Sequence, residues 1–214
     1  MEIQVEKSKG LNTYSFGIHP SKVDVSISAI EANPFVSIKY HDFQIKTHLI
    51  GLYNANNVNA ALAIGKYFEV EDQDIKDALE SYIPENNRSQ LISKGTNQII
   101  LDAYNANPTS LEFALEALSK QSAAQKFFVI GDMLELGDMG PAEHRHIMDV
   151  AKRLGLKGIL VGPIFRSVWK DGDYDVFENN LAAKAHLETL AIRDHVILIK
   201  GSRGIKLEEV VSAL

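Results

Sequence analysis

Polar residues gather where apolar runs of this sequence stop, and those places hold the groups able to do chemistry. Ile99-Ile100-Leu101 is followed by Asp102-Ala103-Tyr104-Asn105-Ala106-Asn107-Pro108. A carboxylate there can accept two hydrogen bonds from a ribose diol, and Tyr104 offers an aromatic face to an adenine. The same residues also read as an Asx-type turn in which Asn107 caps the next helix. The run ending at Ile130 leads into Gly131-Asp132-Met133-Leu134-Glu135-Leu136-Gly137-Asp138, with His144 beyond. Asp132 and Glu135 suit an ammonium group or a metal, although acidic residues ahead of a helix also favour its dipole with no ligand at all. Ile197-Leu198-Ile199 gives way to Lys200-Gly201-Ser202-Arg203-Gly204, two cations, a hydroxyl and two glycines. This is either a carboxylate or phosphate cradle, with backbone N–H groups and an Arg fork, or a solvated basic turn. Finally, Asn54, Asn56, Asn57 and Asn59 crowd one helix start, more amides than a single cap needs. Each carries both a donor and an acceptor, as recognition of a base edge requires.

Other chemistries are excluded. There is no GxxxxGK(S/T) phosphate loop, no GxGxxG fingerprint, no HExxH and no GxSxG elbow. The histidines are scattered, and His144 and His146 cannot share a helix face as i and i+4 would. With Cys at 0, disulfides, thiolate metal sites and cysteine nucleophiles are ruled out, which suits a reducing cytoplasm. The balance of 22 Lys+Arg against 28 Asp+Glu, net −6, argues against nucleic acid or an anionic membrane surface as partner. No apolar run approaches the roughly 18 residues of a membrane span, and the start MEIQVEKSKG reads as no export signal. At 214 residues and 45% hydrophobic, the chain has length for one large or two small cored domains.

Those segments need elements to hold them. Lys22 to Ile30 alternates, with Val23, Val25, Ile27 and Ala29 on one face, and Phe35–Tyr40 and Phe43–Thr47 flank His41-Asp42 as a tight hairpin, together an antiparallel patch. From Asn56 the period becomes helical through Val58, Ala61, Leu62 and Ile64, and a second helix around Ile75, Ala78 and Leu79 stops at Pro84. The polar Pro84-Glu85-Asn86-Asn87 marks a domain boundary. Beyond it strands and helices alternate: Ile99–Leu101, a helix from Pro108, Phe127–Ile130, a helix through His146 and Val150, Gly158–Gly162, Tyr174–Phe177, a helix over Leu181–Leu190, His195–Lys200, and a closing helix with Leu207, Val210, Val211 and Leu214. Such a series predicts an α/β fold with a doubly wound, mostly parallel sheet, whose ligands sit beyond the carboxyl ends of the strands.

In order, G-x-Y-N-x-x-N, N-x-R-S-Q, D-x-Y-N-A-N-P, G-D-M-x-E-L-G followed by His, and K-G-S-R-G resemble the Mur ligases, from about Tyr14 to the C-terminus. The resemblance implies that 1–85 is the C-terminal portion of a central ATPase domain and 86–214 a Rossmann-like domain closing over ATP about a hinge near Pro84 to Arg88. The branch resembled joins D-alanyl-D-alanine to UDP-N-acetylmuramoyl-tripeptide through an acyl phosphate, using ATP and Mg²⁺, as a cytoplasmic monomer of peptidoglycan precursor synthesis. Carried over by position, Asn54 and Asn57 lie beside the adenine, Arg88 reaches the ATP phosphates and Asp102 binds the ribose. Tyr104, Asn105, Asn107 and Pro108 complete the nucleotide-facing loop. Lys200, Ser202 and Arg203 receive the dipeptide, Asp132, Glu135 and His144 line the neighbouring loop, and Arg88 and Lys200 are the cations for the charge-rich steps. The phosphate loop, the Mg²⁺ ligands and the uridine-binding domain of the family have no counterpart in these residues. A fragment inactive alone is therefore expected, the alternative being a free-standing nucleotide or small-molecule binding module.

Overall fold

The computed structural model describes residues 6–18, 22–32, 35–123, 125–170 and 172–214. The chain divides into two compact units, Met1–Tyr82 and Ile83–Leu214.

In the first unit, β3 (Ala29–Ala32), β4 (Phe35–Tyr40) and β5 (Phe43–Ile50) form an antiparallel sheet, with the expected hairpin closing at the Tyr40–Phe43 pair. Its turn residue His41 has φ 48°, the left-handed conformation such a tight reversal demands. Two helices follow, α1 (Asn54–Tyr67) and α2 (Asp72–Ser81). Val36, Ile38, Ile45, Val58, Leu62 and Ile75 are enclosed in one core. The expected antiparallel patch needs one correction, because β1 (Phe16–Ile18) and β2 (Val25–Ile27) pair in parallel, Phe16 with Val25 and Ile18 with Ile27. The alternating run through Ile30 splits at Ser28, whose N–H turns to the Lys39 carbonyl at 2.8 Å and starts β3 against β4.

The second unit is built on a six-stranded sheet of β6 (Gln90–Lys94), β7 (Asn97–Asp102), β8 (Gln125–Gly131), β9 (Lys157–Val161), β10 (Asp175–Phe177) and β11 (His195–Lys200), in the order β10-β9-β8-β11-β7-β6. All neighbours are parallel except β6 and β7, a hairpin closed at the Lys94–Asn97 pair. Strands covered on both sides read as continuous apolar runs, and Phe128-Val129-Ile130 and Ile197-Leu198-Ile199 are each at most 2% exposed. One face packs on α6 (Asn180–Leu190) and the terminal turns through Ala183, Leu187, Leu207 and Val210, which meet Leu101, Val129, Val161 and Ile199. The helices α3 (Pro108–Ser119), α4 (Gly140–Arg153) and α5 (Pro163–Val168) contact one another in sequence as a separate layer. This is the doubly wound α/β arrangement that the alternation predicts.

Two elements depart from the reading of the sequence. The edge strand β6 has no strong apolar run, since Leu91 is 40% exposed and the strand is only half-buried. The closing helix is 3₁₀ over Leu207–Ala213, starting after Lys206 at φ 55°. Its Leu207, Val210 and Ala213 recur every third residue, and a helix of three residues per turn stacks them on one side against the core.

Candidate functional site

Strand β7 ends at Asp102 and β11 at Lys200, and the register places these two directly opposite each other on adjacent parallel strands. In-register side chains of neighbouring strands emerge on the same face, so a carboxylate and an ammonium meet at the carboxyl edge of the sheet. The Lys200 Nζ donates to Asp102 Oδ2 at 2.6 Å and to the Asn105 carbonyl at 3.1 Å. Asp102 Oδ1 accepts the Ser89 N–H at 3.1 Å. Both residues are buried, Asp102 at 8% exposed and Lys200 at 2%.

Beyond this pair the loop after β7 opens outward. The Arg88 guanidinium stacks over the Tyr104 ring, its Cζ 3.6 Å from the centroid, and the Arg203 Cζ lies 5.5 Å from the same ring. Hydrogen bonding from Arg88, then the charges of Arg88 and Arg203, hold the Tyr104 hydroxyl below the ordinary tyrosine value. Asn86, Asn87, Arg88, Tyr104, Arg203 and Glu208 line a cleft of about 390 Å³. The backbone leading into it is strained: Asn86, Asn87 and Ser89 all have φ between 49° and 60°. Left-handed residues other than glycine cost of order 1 kcal/mol or more each and tend to collect at ligand sites. Two cations at the mouth of an aromatic-walled cleft, with a carboxylate beside it, can receive an anion that also carries hydroxyl groups.

The expected residues therefore divide. Arg88, Asp102, Tyr104, Asn105, Lys200 and Arg203 come together around the ends of β7 and β11. Asn107 and Pro108 begin α3: the Asn107 side chain accepts the Ser110 N–H at 2.9 Å, the Ser110 Oγ accepts the Asn107 N–H at 3.2 Å, and Pro108 follows at the first helical position. The capping reading of this segment is present at Asn107, and Asp102 and Tyr104 stand at the start of the same loop.

The Asp132 loop is different. Asp132 and His144, expected along the substrate loop, are each 0% exposed. The Asp132 carboxylate accepts the Ile164 N–H at 2.8 Å and the Phe165 N–H at 2.9 Å, capping α5. The Nε2 of His144 accepts the Met133 N–H at 3.0 Å and its Nδ1 lies 2.7 Å from the Gly140 carbonyl, so the proton is assigned to Nδ1. Gly162, at φ 131°, makes this enclosure possible, since a Cβ there would lie 2.3 Å from the Asp132 carboxyl carbon. These two side chains hold the loop in shape and present no atom to a ligand. Ser202, also buried, ties the same loop to the end of β11: its Oγ accepts the Leu134 N–H at 3.0 Å and its N–H donates to the Asp132 carbonyl at 3.1 Å. Glu135 is exposed and Lys200 turns inward, so of the expected dipeptide cations only Arg203 faces solvent.

Asn54 and Asn57 belong to the first unit. The Asn54 amide donates to the Ile50 carbonyl at 2.8 Å and its Oδ1 accepts the Asn57 amide at 2.9 Å, a chain of amides along the start of α1. Asn59, fully buried, donates to the Gly17 carbonyl at 3.0 Å and anchors β1. Sequence reasoning did not assign roles to Ser89, Asn86, Asn87 and Glu208. The Asn-Asn pair carried a signal, because asparagine tolerates left-handed backbone, whereas nothing in the spacing marked Glu208.

Fold and site together define an open α/β domain with two arginines around a tyrosine at the carboxyl edge of its sheet, and comparison with known proteins gives its family. Residues 87–203 match the family model described as Mur ligase, glutamate ligase domain. The UDP-N-acetylmuramoyl-tripeptide–D-alanyl-D-alanine ligase of Bacillus subtilis (strain 168) is 32% identical over 212 residues, 94% of this chain and 46% of its own length. The Escherichia coli (strain K12) ligase of the same name is 33% identical over 171 residues, 78% of this chain and 38% of its own. A crystal structure of MurF from Acinetobacter baumannii superposes with a TM-score of 0.81 at 28% identity, covering 99% of this chain and 48% of that one. A MurF from Thermotoga maritima in complex with ADP has the same fold, TM-score 0.76 at 21% identity. The chain belongs to the Mur ligase family, and it spans about half the length of the relatives it matches.

Proposed function

We propose that this chain supplies the C-terminal half of an ATP-dependent ligase that joins D-alanyl-D-alanine to UDP-N-acetylmuramoyl-tripeptide, a step of peptidoglycan precursor synthesis. Residues 1–85 are read as the last part of the ATPase domain and 86–214 as the domain that closes on it. The observation carrying this reading is the Arg88–Tyr104–Arg203 cluster beside Asp102 at the strand ends, in a chain whose relatives bear that activity in their names. ATP phosphorylates the tripeptide carboxylate, forming an acyl phosphate and releasing ADP. The dipeptide amine then attacks that carbonyl, an amide forms, and phosphate leaves with the amine's proton passing to solvent.

Within this scheme Arg88 and Arg203 hold anionic groups, Asp102 accepts from the ribose diol, and the Tyr104 ring stacks between cation and ligand. Asn54 and Asn57 are assigned to the adenine by the resemblance alone. Among the described residues no three His, Asp or Glu side chains come together to hold a metal. No helix among the described residues is long and apolar enough to cross a membrane. The test is Arg88→Ala in the assembled ligase. Loss of a charge-assisted contact worth about 1.5–3 kcal/mol should lower kcat/KM for ATP roughly 10- to 150-fold. Wild-type kinetics in that variant would remove Arg88 from the site.

A further inference from the structure

We infer that Lys200 is a positioning residue of the nucleotide-facing loop, acting through Asp102 and the Asn105 carbonyl and not on the dipeptide; this rests on the ligase reading above. The sequence places Lys200 in a segment of basic and small residues that looks made for a carboxylate or phosphate, yet its side chain is only 3% exposed. Two of its three N–H donors are spent on Asp102 Oδ2 and the Asn105 carbonyl. To reach a substrate it would have to give up both and leave the Asp102 charge enclosed.

Its position is fixed by the sheet, since Lys200 is the in-register partner of Asp102 across β11 and β7, at residues 98 apart in sequence. The Ser89 N–H holds the other carboxylate oxygen, so both oxygens are aimed. Lys200 also closes the loop that follows. Residues 102–107 are pinned at Asp102, at the Asn105 carbonyl and at the Asn107 cap, and Tyr104, between the first two pins, is turned toward Arg88 and Arg203. A lysine reaches both points with one ammonium, whereas a neutral side chain of that length supplies no charge to the buried Asp102.

Steady-state kinetics of the assembled ligase test this, with ATP and D-alanyl-D-alanine varied separately in Lys200→Met, Lys200→Arg and the charge-neutral pair Lys200→Met/Asp102→Asn. Lys200→Met is expected to raise the KM for ATP at least tenfold while the dipeptide KM stays within twofold, and Lys200→Arg to recover part of the ATP affinity. A dipeptide KM that rises while that for ATP holds, or no change in either, overturns the inference. Lys200→Met leaves Asp102 charged and enclosed and can fail to fold; Lys200→Arg, which keeps Asp102 and its counter-charge but moves the donors, then carries the same split at smaller size. A role confined to stability would lower the unfolding midpoint and leave both KM values of the folded enzyme unchanged, which also overturns it. Amide hydrogen exchange in the 214-residue chain separates this inference from the reading beneath it. Exchange at Ala106 should rise at least tenfold in the paired variant relative to the amides of β8. If the wild-type ligase shows no ATP dependence but that exchange rises, the ligase reading falls and the loop-holding role of Lys200 stands. Unchanged exchange removes the role whatever the kinetics show.

Discussion

Replacing Asp132 by alanine should destabilise the second unit severely, because its enclosed carboxylate is the acceptor for two backbone N–H groups. The carboxylate is 0% exposed and receives the N–H groups of Ile164 and Phe165 at 2.8 and 2.9 Å. Alanine leaves both donors enclosed without an acceptor, at about 1–3 kcal/mol each. Removing a negative charge from the start of α5 adds a few tenths of a kcal/mol. The sum is about 2–7 kcal/mol, a large part of the roughly 5–15 kcal/mol that holds a domain together. With a urea slope of about 2 kcal/mol/M, the midpoint should fall by about 1–3.5 M. Trp169, the single tryptophan, directly follows α5 and donates to the Tyr174 carbonyl at 3.0 Å, so its fluorescence reports on this region during urea unfolding. Asp132→Asn keeps the shape and one acceptor and should cost about half as much. A midpoint shift under about 0.3 M for Asp132→Ala would refute the capping argument and return Asp132 to the candidates for direct substrate contact.

Tyr104 should ionise below the ordinary tyrosine value of 10.0, seen as a tyrosinate absorbance step that disappears in Tyr104→Phe and moves up in Arg88→Ala. Because its folded pKa is depressed, its pairing with Arg88 contributes stability that is fully present above 10.0 and is lost as pH falls through the folded value. A titration identical in wild type and Arg88→Ala would contradict the close stacking of Arg88 on Tyr104. Gly162→Ala should cost about 3 kcal/mol or more, since the new Cβ meets Asp132 and the φ of 131° disfavours any side chain; a urea midpoint within error of wild type would show that the loop relaxes around it.

Much of this architecture was legible in the sequence because burial on both sheet faces leaves a plain signature. Phe127–Ile130 and His195–Lys200 are such runs, and the rule that ligands gather past strand ends led directly to Asp102, Tyr104 and Arg203. What the sequence hid was the direction of polar side chains. Lys200 and Arg203 stand three apart in one basic segment, yet one is enclosed and the other exposed, because the partner of Lys200 lies 98 residues upstream. Asp132 likewise looks like a ligand residue until Ile164 and Phe165 supply their N–H groups from 32 and 33 residues away. Spacing within a segment carries no information on such remote donors. The edge strand β6 escaped for the opposite reason, since half-burial dilutes the apolar pattern that marks a strand.

The central claim is tested most directly by mass spectrometry of UDP-N-acetylmuramoyl-tripeptide incubated with ATP and D-alanyl-D-alanine. The catalyst is the ligase assembled from this chain and its own N-terminal half, with the chain alone as comparison. The account predicts that the assembled enzyme adds the dipeptide, one ADP appearing per amide formed, and that the chain alone adds none. Dipeptide addition by the chain alone, or an assembled enzyme that refuses D-alanyl-D-alanine while accepting another amine, would contradict it.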